Sequence, residues 1–481
     1  MSWEHEFALP FINEGHFYVK APGPLRAPIK DFSLRRDEGL ELIIETRCPP
    51  DAKSTEPERP PGTVRLNVES AELENIGGMK AKLQGVIPYR FRTTDNYRTG
   101  ESELTEEAQI HEISAVVQAD GEARYTIDWL ENLPARPFHW PGSIDTKTEI
   151  LTTRKIGTGD DVITLFSKEI EQSGANLAVK IVVDGVDIYL CALERKDGSE
   201  LKRPGCIVYV GTPDDLFRKK VRTAVSFALN VYLVELGSTL YDKDWNPTSL
   251  KARSAYSIDG KVLDLPILPP APLGGRWQHQ IDRVPFTRLV NTIFQNYEAL
   301  DFGNLSWAYW HALCATPHIA SVHFGAAIEM LQRQYAATKP DQFPQRIIAD
   351  SPVWNSFCAQ VDEAVSKLEI AEERKSALRK NIGGLNRVHQ RDILDAILKD
   401  IGIELGADES QAWRRRHEAA HGIAMETGEE LDVIRDIKLL KVMFHRMVLR
   451  ILNGADNYLD YATPGFPIRK LADPVPSQRV N

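Results

Sequence analysis

The stretch "RRRHEAAHG", Arg414–Gly422, concentrates more reactive side chains than any other part of this 481-residue chain. Read from His417 it spells H-E-x-x-H. On a helix His417 and His421, four residues apart, project from one face at a spacing that lets two imidazoles share a metal. Glu418 would then be the general base acting on a zinc-bound water, as in a metallopeptidase. Read from Arg416, the same letters give arginine, a polar residue, three spacers, histidine and glycine. That set suits RNA cleavage without metal. Histidine titrates near neutrality and can move protons, and the arginine fork stays charged and matches phosphate oxygens.

Each reading asks for something more. A catalytic zinc takes three protein ligands, and the extended pattern would place glycine at 424 and histidine at 427, where Ala424 and Thr427 stand. Glu426, Glu429 and Glu430 follow too closely to fold back, which leaves Asp456 and Asp460 as third ligands. RNA cleavage needs a base for the 2′-hydroxyl, an acid for the leaving oxygen and a cation at the phosphorane. Arg416 and His421 lie about 140° apart on a regular helix. They converge only if the helix begins or distorts between them, or if two copies of the site face each other. Arg414, seven residues before His421, is nearly aligned with it, so Arg414 and Arg415 join the supporting candidates. A third reading needs no chemistry: a solvated helix face capped by "DES" at Asp408–Ser410, with Glu409 pairing to the arginines.

The elements that would carry these residues have two rhythms. In the first half, "GLELIIET", "ISAVVQADGEARYTIDWL" and "VKIVVDGVDIYLCALE" are rich in β-branched residues. Asp120-Gly121 and Asp184-Gly185 in the latter two predict tight hairpin turns. "CPPDAKSTEPERPPG" reads as a surface loop, and "PDDLFRKKVRTAVSFALNVYLVELG" as a helix. "DLPILPPAPLGG", Asp264–Gly275, breaks regular structure and suits a linker. Beyond it the period becomes 3.6: Phe286, Leu289, Val290, Ile293, Phe294, Tyr297 and Leu300 share a face, as do Phe324, Ile328, Leu331 and Tyr335. Phe357, Val361, Val365 and Leu368 repeat it, and "RDILDAILKDIGIEL" and "VIRDIKLLKVMFHRMVLRIL" add two helices. The expected fold is α+β and multidomain. Residues 1–265 are mainly β, divisible into two subdomains; 266–275 link; 276–481 form an all-α bundle of five or so helices.

Bulk properties narrow the function. A net charge of −10 argues against a protein that coats nucleic acid through an overall positive field, while leaving room for a local basic cleft. Five scattered cysteines, with no C-x-x-C, suit a reducing compartment. No signal peptide or apolar run of bilayer length is visible, so the expectation is a cytoplasmic protein without a membrane partner. "RKIGTGDD" lacks the phosphate-binding P-loop pattern, and no Gly-x-Ser-x-Gly occurs. Trp307, Tyr309 and Trp310 could stack on bases, but at helical spacing they read more simply as core or interface. His311, His318 and His323 are too irregularly spaced for a metal site.

"RHEAAHG" resembles the R-x4-6-H motif of the HEPN superfamily of helical ribonucleases, usually Arg-Asn-x-x-x-His. "HFGAAIEMLQRQY", "KNIGGLNRVHQRDILDAILKDIGIELG", Trp413 and "HRMVLRILNGADNYLDY" are similar in order and spacing to the HEPN domain of ApeA-like proteins over 283–471. In the first half only "GHFYVKAPGPL" is loosely similar. The resemblance implies a metal-independent antiphage endoribonuclease of toxin or abortive-infection type, without cofactor. Its site would be built across a homodimer, and structured RNA such as transfer RNA would be the substrate. It implies Arg416 as the phosphate-stabilising residue and His421 as the general acid/base, with a 2′,3′-cyclic phosphate and a 5′-hydroxyl as products. His417 stands where asparagine is usual and could share the acid/base work. Glu329, in "AAIEML", is the candidate for a supporting polar residue on an earlier helix. A regulated ribonuclease would take its trigger, phage-derived, at the first half. A non-catalytic scaffold binding RNA or a partner, and a zinc peptidase with His417, His421 and Glu418, stay open beside it.

Overall fold

The computed structural model describes residues 8–54, 62, 69–96, 101–117, 121–158, 161–193, 203–274, 279–420, 428 and 430–477. The chain divides into two compact units, Met1–Pro269 with Leu273–Asn291, and Pro270–Pro272 with Thr292–Asn481. The Pro/Gly segment carries no helix or strand in its described part, 266–274, and its Ala271 and Leu273 are buried. The architecture is α+β: a large antiparallel sheet in the first unit, then a helical region.

Strands dominate the first unit. After helix α1 (Ala8–Glu14) come β1 (Phe17–Ala21), β2 (Asp31–Arg36), β3 (Leu42–Cys48), β4 (Ser70–Asn75), β5 (Lys80–Gln84), β6 (Ile87–Asn96) and β7 (Glu101–Ile110). They are followed by β8 (Glu112–Val116), β9 (Tyr125–Leu130), β10 (Gly142–Thr158), β11 (Asp161–Val183), β12 (Val186–Ala192) and β13 (Gly205–Val210). Helix α2 (Asp215–Leu229), β14 (Glu235–Tyr241) and β15 (Pro247–Arg253) complete the series. Eleven strands form one sheet in the order β1-β4-β5-β8-β15-β14-β9-β13-β12-β11-β10, and β2-β3-β7-β6 form a second. Alternation of side chains along each strand supplies the apolar faces. Leu34, Leu42 and Ile44 from the second sheet meet Leu73, Leu83, Ile113 and Leu250 from the first in one core.

The two Asp-Gly pairs have different outcomes. At Asp184-Gly185 both residues take positive φ (47° and 79°) and Val183 faces Val186, a two-residue hairpin turn between β11 and β12. The hairpin expected around Asp120-Gly121 does not form. β8 pairs with β5 and β15, and β9 with β13 and β14, so the β14–β15 hairpin lies between them. The reason is length: eight residues separate Val116 from Tyr125, too many for one dipeptide to impose a register. Of "RKIGTGDD", residues 154–158 end β10 and Asp161 begins β11, with Thr158 facing Asp161, while Gly159 and Asp160 lie outside the described residues.

Helix α2 is tied to the sheet by charge. Its Asp214 cap accepts from the Phe217 N–H at 2.7 Å. Arg218 and Arg222 both reach the fully buried Asp128 of β9, and Arg222 also holds Glu235 of β14. Arg253 of β15 extends the network to Asp215 (2.6 Å) and Glu112 (2.8 Å). The sheet also brings two cysteines face to face: Cys191 of β12 is directly opposite Cys206 of β13. The Leu193 N–H donates to Pro204 C=O two positions along, which makes this a hydrogen-bonded pair with Cα atoms about 5.5 Å apart. That lies within the range of about 4.4–6.8 Å a disulfide spans. A diamide-treated sample, digested without reductant, is therefore expected to yield a Cys191–Cys206 linked peptide that Cys206→Ser abolishes. Recovery of only free thiols would contradict the register.

In the second half, eight α-helices are present among the described residues, more than the five or so expected. They are α3 (Arg283–Gln295), α4 (Phe302–Cys314), α5 (Pro317–Thr338), α6 (Ser351–Ser366), α7 (Glu372–Ile382), α8 (Gln390–Ile401), α9 (Ala407–Ala420) and α10 (Glu430–Ile451). Helix α7 buries none of its residues, so it has no apolar stripe by which the sequence could announce it. Helix α8 stops at Gly402, whose φ of +64° suits the left-handed cap. The region is not all-α, since β16 (Asn457–Leu459) and β17 (Ile468–Lys470) form a hairpin too short to show a period. Among the described residues no helix is long and apolar enough to cross a membrane.

Candidate functional site

Helix α9 begins at a cap built from its own sequence. The Ser410 N–H donates to Gly406 C=O (2.9 Å), and Glu409 reaches back to accept from the Gly406 N–H (2.8 Å). This is the reach-back half of a capping box, and Asp408 and Glu409 place negative charge on the first turn. The pairing expected between Glu409 and the nearby arginines does not occur. Its other oxygen takes Arg446 of α10 at 2.6 Å, with neither side chain exposed. Burial pushes the Glu409 carboxyl up, and Arg446 and two backbone N–H groups oppose that. Facing inward in the first turn, Glu409 meets α10 before it could meet Arg414 or Arg415.

The three arginines point three ways. Arg414 is exposed and its Nε donates to Ser410 C=O (3.3 Å). Arg415 crosses to Asp436 of α10 (2.7 Å), whose carboxyl burial raises against the pull of Arg415. Arg416 turns inward and is only 5% exposed. Its guanidinium carbon lies 3.3 Å from the centre of the Trp413 ring, a stacked cation–π contact. Nη1 donates to Trp413 C=O (3.1 Å), and Nη2 is hydrogen-bonded to Glu329 of α5. Gly325, one turn before Glu329, makes this possible: a Cβ there would sit 2.7 Å from Arg416 Cδ. Burial lowers the Arg416 pKa and Glu329 opposes the shift.

The structure thus brings together Arg416, Glu329 and Trp413, and separates Arg414 and Arg415 from them. The side chains of His417 and Glu418, and the whole of His421, lie outside the described residues, as do Glu426 and Glu429. Helix α9 runs from Ala407 to Ala420, so it does not begin between Arg416 and His421. Convergence of that pair is left to a change of direction after Ala420 or to a second copy.

The remaining candidates have other work. Asp460, considered as a third zinc ligand, accepts from the Ala462 and Thr463 N–H groups, the Thr463 hydroxyl and Arg469 Nε (2.8 Å). Its oxygens are already occupied. Glu430 accepts from the Gly428 N–H. Among the described residues no group of three or more His, Cys, Asp and Glu side chains is placed to hold a metal. Tyr309 and Trp310 are core residues, while Trp307 is 54% exposed beside the His311 ring. No protein-family model, curated protein or solved structure matches the chain.

One buried titratable group passed unnoticed in the sequence. Lys441 of α10 lies over the Tyr461 ring (5.3 Å), and burial pushes its pKa down to about 7. One turn on, His445 shares a 2.8 Å hydrogen bond with the Tyr309 hydroxyl, and burial, with the Lys441 charge adding, holds its imidazole well below the usual range. The signal available was two polar residues, four apart, inside the apolar run "LLKVMFHRMVL". Unfolded, Lys441 keeps its proton to about pH 10.4; folded, it loses it near 7. Between these the unfolded chain binds more protons, so stability rises with pH from about 7 upward. Lys441→Met is expected to raise the urea midpoint at pH 7 and to flatten that rise. Equal pH profiles for the two proteins would show Lys441 is not the cause.

Proposed function

We propose that this chain is a metal-independent endoribonuclease of the HEPN type. Arg416 stabilises the phosphorane, His421 acts as general acid/base and His417 shares that work. The observation that supports this is the seating of Arg416: one guanidinium held by a carboxylate on α5, a backbone carbonyl and an indole, five residues before His421. A solvated arginine needs none of these. Holding a cation rigidly where negative charge develops is what electrostatic catalysis asks for. The guanidinium has five N–H donors, and Glu329 and Trp413 use two of them, leaving others for phosphate oxygens. In the reaction the 2′-hydroxyl gives its proton to an imidazole and O2′ attacks phosphorus. The P–O5′ bond breaks and O5′ takes a proton, giving a 2′,3′-cyclic phosphate and a 5′-hydroxyl. Two copies of the chain would supply two Arg/His sets, and the β-rich unit would hold the enzyme in check until a trigger binds.

The test is cleavage of total cellular RNA in excess EDTA, with His421→Ala alongside. Loss of a general acid/base costs about 10²–10⁴-fold, so chelator-resistant cutting should vanish in the variant. Cutting that EDTA abolishes would overturn metal independence, and stoichiometric bound zinc with peptide hydrolysis would return the peptidase reading. A second reading, an RNA-binding scaffold without cleavage, draws on the burial of Arg416 and its pairing with Glu329, which reduce the charge it offers to a phosphate. RNA binding without cutting in either protein would favour it.

A further inference from the structure

A cavity of about 250 Å³ opens between α8 and α9, lined among others by Arg391, Leu394, Leu405, Trp413, Arg414 and Arg416. Three of its lining residues are arginines, against the single carboxylate Asp395. Their accessibility differs. Arg416 is sunk at one end and held by Glu329. Arg414 is exposed, and among the described residues it makes no ion pair. Arg391 is paired with Asp395 at 3.9 Å, with both side chains largely in water, a pairing worth little. Two exposed cationic forks therefore flank a lining of Leu394, Leu405 and an indole that Arg416 already covers on one face and that is only 8% exposed.

Such a lining with such a rim fits a flat, apolar-faced group joined to a phosphate. Arginine forks match phosphate oxygens, and the apolar face of a base gains by leaving water for the leucine side chains. At about 250 Å³ the cavity is smaller than ligand sites, which run from about 300 Å³ upward, so it can hold no more than one nucleotide. The neighbouring groove continues from Asp395, Leu405 and Ser410 past Lys399, but it adds Glu404 and Asp473. Three carboxylates against one lysine disfavour phosphates there. A strand entering the cavity is thereby directed along the arginines, toward Arg416.

We propose that this cavity is a subsite for one nucleotide of a single-stranded RNA segment, its phosphate on Arg391 and Arg414 and its base against the apolar side of the cavity at Leu405. Its placement beside the scissile bond rests on the ribonuclease reading; its binding chemistry does not.

The experiment uses full-length His421→Ala protein in EDTA, a short fluorescein-labelled single-stranded RNA, and anisotropy from about 50 to 200 mM KCl. Arg391→Glu with Arg414→Glu, both exposed changes, should weaken binding by about tenfold or more, because two cations that neutralise phosphate are replaced by anions. The slope of log K on log salt should become shallower by about 0.7 for each phosphate no longer neutralised. Unchanged affinity and slope overturn the subsite, as does failure of the parent protein to bind at low salt. If hexaglutamate displaces the RNA as well as an unlabelled oligonucleotide of equal charge, the cavity reads charge alone and the nucleotide assignment falls. RNA cutting abolished in His421→Ala, with rim variants that bind normally, leaves the ribonuclease and removes the subsite. Rim-dependent binding without any cutting by the unmodified protein does the reverse.

Discussion

On the proposed ribonuclease function, Arg416→Ala is expected to lower chelator-resistant RNA cleavage by about 10²–10³-fold, the usual cost of removing one preorganised donor from a developing anion. Arg416→Lys should recover little of it. A lysine keeps the charge, but it cannot stack on Trp413 while reaching both the Trp413 carbonyl and Glu329. Gly325→Ala tests the same seat without touching the arginine, because its new methyl would fall within 3 Å of Arg416 Cδ and Nε. The flexible side chain can yield, so the fold should tolerate the change while the guanidinium moves. Glu329→Gln keeps a hydrogen-bond acceptor and removes the charge, so it should affect kcat more than KM if Glu329 only positions Arg416. Cleavage by Arg416→Ala at the parent rate would remove Arg416 from the mechanism. A melting temperature lowered enough to leave Arg416→Ala unfolded at the assay temperature would move it to structure.

Arg446→Ala should be the most destabilising single change in the helical unit, at about 3–5 kcal/mol. Arg446 has no exposed surface, and each of its three guanidinium nitrogens donates: Glu409, the Glu404 carbonyl and the Leu471 and Ala472 carbonyls all accept from it, and its carbon lies 5.2 Å from the Tyr458 ring centre. One side chain thus joins α10, the start of α9, the α8–α9 connection and the C-terminal segment. Truncation leaves the Glu409 carboxylate buried, with only the Gly406 and Val475 N–H groups to satisfy it. Against a total stability of about 5–15 kcal/mol for a typical domain, the loss is a large share. Arg446→Met combined with Glu409→Leu should cost less than Arg446→Ala alone, because no charge is then stranded. Urea unfolding followed by helical circular dichroism checks both. A double variant no more stable than the single one would mean that the carbonyl contacts, rather than the charge pair, carry the energy.

Several features were legible from residues alone. The change of period after the Pro/Gly segment announced strands followed by helices, because alternation by two and spacing by three to four are local consequences of backbone geometry. Asp184-Gly185 declared its turn because the two residues alone separate the flanking apolar runs, so their preference for positive φ sets the register. The helix expected over "RDILDAILKDIGIEL" is instead ended at Gly402 by its left-handed φ, and α9 is capped at Gly406 rather than at Asp408–Ser410.

What the tertiary structure decided was partnership. No periodicity says that Asp120-Gly121 joins strands kept apart by the β14–β15 hairpin, that Cys191 faces Cys206, or that Glu409 finds Arg446 rather than the arginines beside it. Three adjacent arginines look equivalent in sequence, yet helical geometry turns them about 100° apart in succession. One meets solvent, one meets Asp436 and one is drawn over a glycine onto Glu329. Local rules determine which way each side chain leaves its helix; only packing determines what it meets there.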